Sequence, residues 1–203
     1  MLGRGTVRAS VLEVRYVSAE GCLIRAGGPT VKNVTGFDLP RILTGSLGTL
    51  GLFAELILRT NPIPAATVWV VAEGADPFTT RDHLVGSSTV LWDGARTWVG
   101  IEGHAPDVTA QLIALKRVGH FTETDGPPPL PPQRWSLTPA DVRTLAGHDT
   151  GAFVASIGVG VVHAERPQPP RTLPPPVAEL AARLKANFDP TGRLNPGRDP
   201  GRR

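Results

Sequence analysis

Apolar and polar positions alternate along the first sixty residues in the manner of a short-stranded sheet. Val11, Leu12, Val14, Tyr16 and Val17, with Glu13 and Arg15 between them, read as one strand or two short ones within 7–17. The turn Ser18-Ala19-Glu20-Gly21 then returns the chain through 22–25 as the second arm of a hairpin. Asp38 is an N-cap residue, Leu39, Ile42 and Leu43 stand at i, i+3 and i+4, and Gly45 is a stop, so a helix of under two turns is expected. Beyond Gly51 the run Leu52-Phe53-Ala54-Glu55-Leu56-Ile57-Leu58-Arg59 reads as a buried strand ending at Asn61-Pro62.

Residue types change after Pro62 and Pro64. Strands are expected at 67–72, 89–92 and 97–102, the last two joined by an Asp93-Gly94 turn. Val108, Leu112 and Leu115 form one stripe of a helix over 106–115, and 121–123 reads as a short strand. A stiff proline loop fills 126–132, and Thr138-Pro139-Ala140-Asp141 opens a short helix to Leu145. Two segments, 153–157 and 159–164, close the region as a strand pair or one bent strand. A second proline-rich linker, 167–176, leads to Val177, Leu180, Ala181, Leu184 and Phe188 at helical spacing, supported by a Glu179–Arg183 pair. That helix stops at Asp189-Pro190. The fold class is α+β.

The chain has 203 residues, and 21 Lys plus Arg against 18 Asp plus Glu leave a net charge of +3. Such a balance is no nucleic-acid footprint, and the tryptophans lack the interleaved basic residues that base stacking needs. No apolar run reaches the roughly 18–20 residues of a membrane span, and no signal-peptide core stands at the start. The single cysteine, Cys22, excludes an internal disulfide or a cysteine zinc site. The five histidines stand at no helical metal-pair spacing, so no metal site is expected. These features point to a reduced, cytoplasmic compartment.

Gly45-Ser46-Leu47-Gly48-Thr49-Leu50-Gly51 is the densest run of small residues. Its glycines fall every third residue, matching neither a dinucleotide fingerprint nor a phosphate loop with lysine. Two readings stand side by side: a tight helix-to-strand connection, or a backbone cradle for a phosphate or ring with Ser46 and Thr49 as hydroxyl donors. Ser46 is no nucleophile elbow, because Gly45 adjoins it directly. Asn33 and Asp38, just upstream, are polar residues that a turn and a cap equally explain.

Together, the segments 31–41, 45–51 with Glu55, and Leu184-Lys185 through Phe188-Asp189-Pro190-Thr191-Gly192-Arg193-Leu194-Asn195-Pro196-Gly197-Arg198 resemble two signatures of the vanillyl-alcohol-oxidase-type flavoproteins, nearest to FAD-binding subunits of glycolate oxidase (glycolate dehydrogenase). The resemblance implies a second half of an FAD-binding domain (1–64), an α+β, ferredoxin-like cap domain (65–166) and a linker with a C-terminal helix returning to the FAD domain (167–203). It implies that Ser46, Gly48, Thr49 and Gly51 line the FAD, that Asn33, Gly36 and Asp38 shape the adjoining wall, and that Asn195 sits near the flavin end. Catalytic residues are not assigned by it. Arg41, Arg134 and Arg166 read either as carboxylate clamps or as solvated charges.

The implied activity is oxidation of a small 2-hydroxy acid by hydride transfer to the flavin. Electrons would pass to other oxidase subunits, an iron–sulfur or flavin partner, with membrane association through those subunits. In the family a subdomain holding the FAD pyrophosphate precedes these motifs, and Met1 falls at about mid-domain. The expectation is therefore a shortened chain, one completed in trans by a separately encoded N-terminal half, or one whose start lies upstream. The alternative is a non-catalytic assembly or regulatory subunit that has lost FAD binding.

Overall fold

The computed structural model describes residues 5–30, 38–86, 88–170 and 173–198. They fall into two compact units, a split one made of Thr6–Asn61 with Pro169–Arg203, and a continuous one built on Pro62–Gln168.

In the split unit the chain does not begin as a strand. Thr6 accepts a hydrogen bond from Ala9 N through its hydroxyl and caps one helical turn, α1 (Val7–Ser10), before β1 (Val11–Val17) starts. β2 (Leu23–Gly27) returns as the hairpin arm, α2 (Leu39–Leu43) follows the Asp38 cap, and β3 (Leu52–Leu58) completes an antiparallel sheet of order β2-β1-β3. Val14 lies opposite Ala26 and Leu56, and Tyr16 opposite Ile24 and Phe53. Val14, Tyr16, Leu43 and Leu50 form the buried core, with Ile24, Ala26, Leu39, Ile42 and Phe188 packed on it. On the alternate positions of β1, Glu13 is buried yet held by both donors of Arg25 at 2.7 and 2.8 Å, and Arg15 pairs with Glu55.

β3 is the element whose environment differs most from expectation. Its largely apolar run, interrupted by Glu55 alone, predicts a buried strand, but Leu52, Phe53, Leu56 and Leu58 are 39–63% exposed. The reason is topological: β3 is an edge strand of its sheet, with β1 as its one paired neighbour among the described strands.

The continuous unit is a seven-stranded antiparallel sheet of order β7-β4-β6-β5-β9-β10-β8. Its strands are β4 (Ala66–Glu73), β5 (Ser88–Trp92), β6 (Arg96–Gly103), β7 (Thr122–Thr124), β8 (Gln133–Ser136), β9 (Phe153–Ser156) and β10 (Val161–Ala164). Asp93 accepts bonds from Ala95 N and Arg96 N and so closes the β5–β6 hairpin. Helices α3 (Pro77–Asp82) and α4 (Ala105–Leu115) and a 3₁₀ segment (Asp141–Gly147) add Leu115, Val108, Val142 and Leu145 to a core with Val99, Ile101, Trp135 and Val162. Thr138 and Asp141 bond each other's backbone N–H reciprocally, as the capping pattern predicts. A smaller cluster of Leu91, Trp98 and Val154 packs with Trp69 and Val71. All four tryptophans belong to this unit.

The final helix, α5 (Pro175–Phe188), rejoins the split unit. Only its last turns engage: Leu184 and Phe188 are half-buried, whereas Val177 and Leu180, at the head of the same stripe, are exposed. No described helix is long and apolar enough to cross a membrane.

Candidate functional site

The glycine turn and the tail of the chain meet inside the split unit. Asp38 caps α2 by accepting Arg41 N at 3.2 Å and pairs with the Arg41 guanidinium at 2.8 Å. After α2 the backbone folds tightly, with Ser46 N donating to Leu43 O and Thr49 N to Ser46 O. Ser46 and Thr49 are buried, and the Thr49 hydroxyl donates to Ser46 O at 2.7 Å, so it stabilises the turn from within. Gly45, Leu47 and Gly48 take left-handed backbone angles, φ 89°, 56° and 77°. Leucine pays roughly 1–2 kcal/mol for that conformation.

Gly51 has a different role. A Cβ there would stand 2.6 Å from the Tyr16 ring, so the absent side chain is what lets Tyr16 pack. A Cβ at Gly48 would meet only the Asn195 side chain, in ordinary contact at 3.8 Å, so what calls for glycine there is the left-handed backbone.

The tail is organised by Asp189. Its carboxylate is buried and accepts Arg193 N at 3.0 Å, Leu194 N at 2.8 Å and the Lys185 ammonium at 2.5 Å. Burial alone would raise the carboxyl, but the Lys185 bond and the two backbone donors outweigh it and hold Asp189 down to about 2. Lys185 also donates to Thr49 O at 2.8 Å and Leu194 O at 2.9 Å. Beyond it, Asn195 is exposed, left-handed at φ 44°, and donates through Nδ2 to Leu47 O at 2.6 Å.

Leu47 and Asn195 are thus the two non-glycine left-handed residues among those described, 148 positions apart and bonded to each other. At the tip, the N–H groups of Leu47 and Gly48 have no acceptor among the described residues. Two adjacent open N–H groups beside a side-chain-free Cα suit an anionic or carbonyl-bearing ligand.

Of the residues singled out from sequence, Ser46, Gly48, Thr49, Gly51 and Asn195 come together, Asp38 stands at the head of the neighbouring helix, and Asn33 and Gly36 lie outside the described residues. Arg41 and Arg166 are taken up in ion pairs with Asp38 and Asp149, and Arg134 is exposed on β8. Lys185 and Asp189 fall within the tail signature, but sequence alone assigns neither a role at the site, although an i, i+4 pair of opposite charge at a helix end followed by Pro190 is a legible cap signal.

No protein-family model matches the chain. Glycolate oxidase subunit GlcE of Escherichia coli is 41% identical over 64 residues, 32% of this chain and 18% of that protein. Glycolate oxidase subunit GlcD of Bacillus subtilis is 43% identical over 60 residues, 30% of this chain and 13% of that protein. The mitochondrial D-lactate dehydrogenase [cytochrome] of Arabidopsis thaliana is 36% identical over 67 residues, 33% of this chain and 12% of that protein. Alkyldihydroxyacetonephosphate synthase superposes with a TM-score of 0.57 at 12% identity, over 94% of this chain and 52% of its own. The chain therefore spans less than a fifth of these sequence relatives and about half of the structural one. In fold the chain is similar to alkyldihydroxyacetonephosphate synthase, and over about a third of its sequence it is similar to glycolate oxidase subunits and a D-lactate dehydrogenase.

Proposed function

We propose that this chain is part of an FAD-dependent 2-hydroxy-acid oxidoreductase of the glycolate-oxidase kind, and that the turn 45–51 with Asn195 forms one wall of its flavin crevice. The observation that carries the reading is the Leu47–Asn195 contact, where two left-handed residues remote in sequence brace a tip with open N–H groups. Local strain of this kind is retained where something gains from it.

The residues present fit such a cofactor. The N–H groups of Leu47 and Gly48 would donate to flavin or phosphate oxygens, and the missing Cβ of Gly48 lets the ligand approach the main chain. Ser46, Thr49 and Gly51 act by shaping the turn, Asn195 by bracing its tip, and Asp38 by fixing α2, with Asn33 and Gly36 proposed for the adjoining wall. Bound FAD would supply the acceptor for a hydride from the hydroxyl-bearing carbon of a small 2-hydroxy acid. The continuous unit is proposed as the cap domain that keeps water from the reacting centre.

Its partners are proposed to be the remainder of the flavin fold, in the same polypeptide or a separate one, and further oxidase subunits carrying an iron–sulfur cluster or flavin. The uncovered apolar edge strand β3 supports the first of these, since a missing strand layer is what its composition calls for. A cytoplasmic location, with attachment to membranes through partner subunits, completes the proposal.

The test is spectroscopic. The purified chain, alone and co-produced with a complementing N-terminal flavin half, is titrated with FAD and then exposed anaerobically to glycolate, D-lactate or 2-hydroxyglutarate. A bound yellow flavin that bleaches with one of these acids is expected, and Gly48→Ala should weaken its binding. A colourless protein in both preparations refutes the reading and favours the non-catalytic assembly subunit.

A further inference from the structure

The braced turn does not hold itself. Four main-chain segments converge on one charge pair: the end of α5, the tail at 193–194, the turn at Thr49 and, through Asn195, its tip at Leu47. Lys185 has three ammonium protons and three acceptors, Thr49 O, Leu194 O and Asp189 Oδ2, so its donor capacity is filled. The Thr49 carbonyl fixes the peptide that leaves the turn. The Leu194 carbonyl fixes the peptide that precedes left-handed Asn195, and hence where the Asn195 amide points.

A charge pair with one partner fully buried is a poor way to gain stability, because desolvating the Asp189 carboxylate consumes much of the attraction while the Lys185 side chain stays 36% exposed. What it does well is enforce one geometry, since leaving any partner unpaired in a buried site is costly. Here the enforced geometry is the register between two stretches that no local rule brings together.

We propose that Lys185, paired with buried Asp189, is a positioning residue for the flavin crevice: it holds the tail and the glycine turn in the one register at which Leu47 and Gly48 present their open N–H groups. The inference rests on the crevice being the flavin site, and it adds a residue that touches no ligand itself. Loss of the ammonium leaves Thr49 O and Leu194 O without a donor and Asp189 without its cation. The turn then samples other registers, and ligand affinity falls by the fraction of time spent in them.

The experiment compares Lys185→Met with Val14→Ala, which opens a cavity in the core of the same unit while leaving every polar contact of Lys185 and Asp189 in place. Hydrogen exchange is read without FAD at the bonded amides of Ser46 and Thr49 in the turn and of Arg193 and Leu194 in the tail, and FAD affinity is read by fluorescence titration. Lys185→Met is expected to speed exchange at both stretches and to weaken FAD by about tenfold or more, while Val14→Ala stays within about threefold in affinity. Should Lys185→Met fail to fold, Lys185→Arg keeps the charge beside Asp189 but its planar fork cannot reproduce the three-way contact, and the same losses are expected. Wild-type exchange at the turn, or FAD affinities that fall equally in Lys185→Met and Val14→Ala, overturns the proposal. Freed exchange in Lys185→Met together with no FAD binding by the wild type refutes the flavin reading while the clamp itself stands.

Discussion

Gly51→Ala separates a packing requirement from a cofactor requirement. Gly51 lies outside the left-handed region, so alanine can adopt its backbone without strain. The obstacle is the ring of Tyr16, whose Cδ2 and Cε2 lie 2.6 and 3.2 Å from the added methyl. Tyr16 is 4% exposed and wedged in the core with Val14, Leu43 and Leu50, so it cannot swing away. Overpacking of this kind costs about 2 kcal/mol. In hydrogen exchange that is roughly 30-fold faster opening of β1 and β3. Tryptophan emission is the wrong probe, because every tryptophan belongs to the other unit. In a Tyr16→Leu background the ring is gone and Gly51→Ala should become neutral, or stabilising by about 0.5 kcal/mol through the unfolded chain. Equal cost in both backgrounds would refute the argument and assign Gly51 to a ligand or to the backbone.

Three further outcomes follow from the geometry. Asp189 is held at about 2 against an ordinary 3.8, so its contribution to stability is complete above about pH 4 and is lost as pH falls toward 2; tail exchange at 193–195 should accelerate across that window. Gly100→Ala places a methyl 2.6–2.8 Å from the Trp69 ring directly across the sheet, and should cost about 1–3 kcal/mol with a visible change in tryptophan emission. Asn195→Gly should cost less than Asn195→Ala by about 1 kcal/mol in denaturant titration, since both lose the bond to Leu47 O but only alanine must hold a left-handed backbone.

Elements with strong local grammar were legible from sequence. Asp38 with Leu39, Ile42 and Leu43, the Asp93-Gly94 turn, and the reciprocal Thr138–Asp141 cap each gave the right element because the deciding contacts lie within four residues. Elements fixed by distant contacts were not. The turn α1 hides under strand-like valines, and the six-residue α3 and four-residue β8 are too short to show a period. β3 shows why pattern gives composition but not environment: its residues ask for cover on both faces, and the described residues leave it at an edge. The same division holds at the candidate site. The glycine spacing and the tail were visible separately, whereas the role of Lys185 depends on Thr49, 136 residues away.

The split unit also imposes an order of events on biosynthesis. Its glycine turn leaves the ribosome long before Lys185 and Asn195, with the whole of Pro62–Gln168 made in between. Nascent chains gain their contacts from the N-terminus onward. The contact between turn and tail therefore stays unmade until Lys185 and Asn195 have been translated, and anything that needs both stretches to bind can do so only after that point.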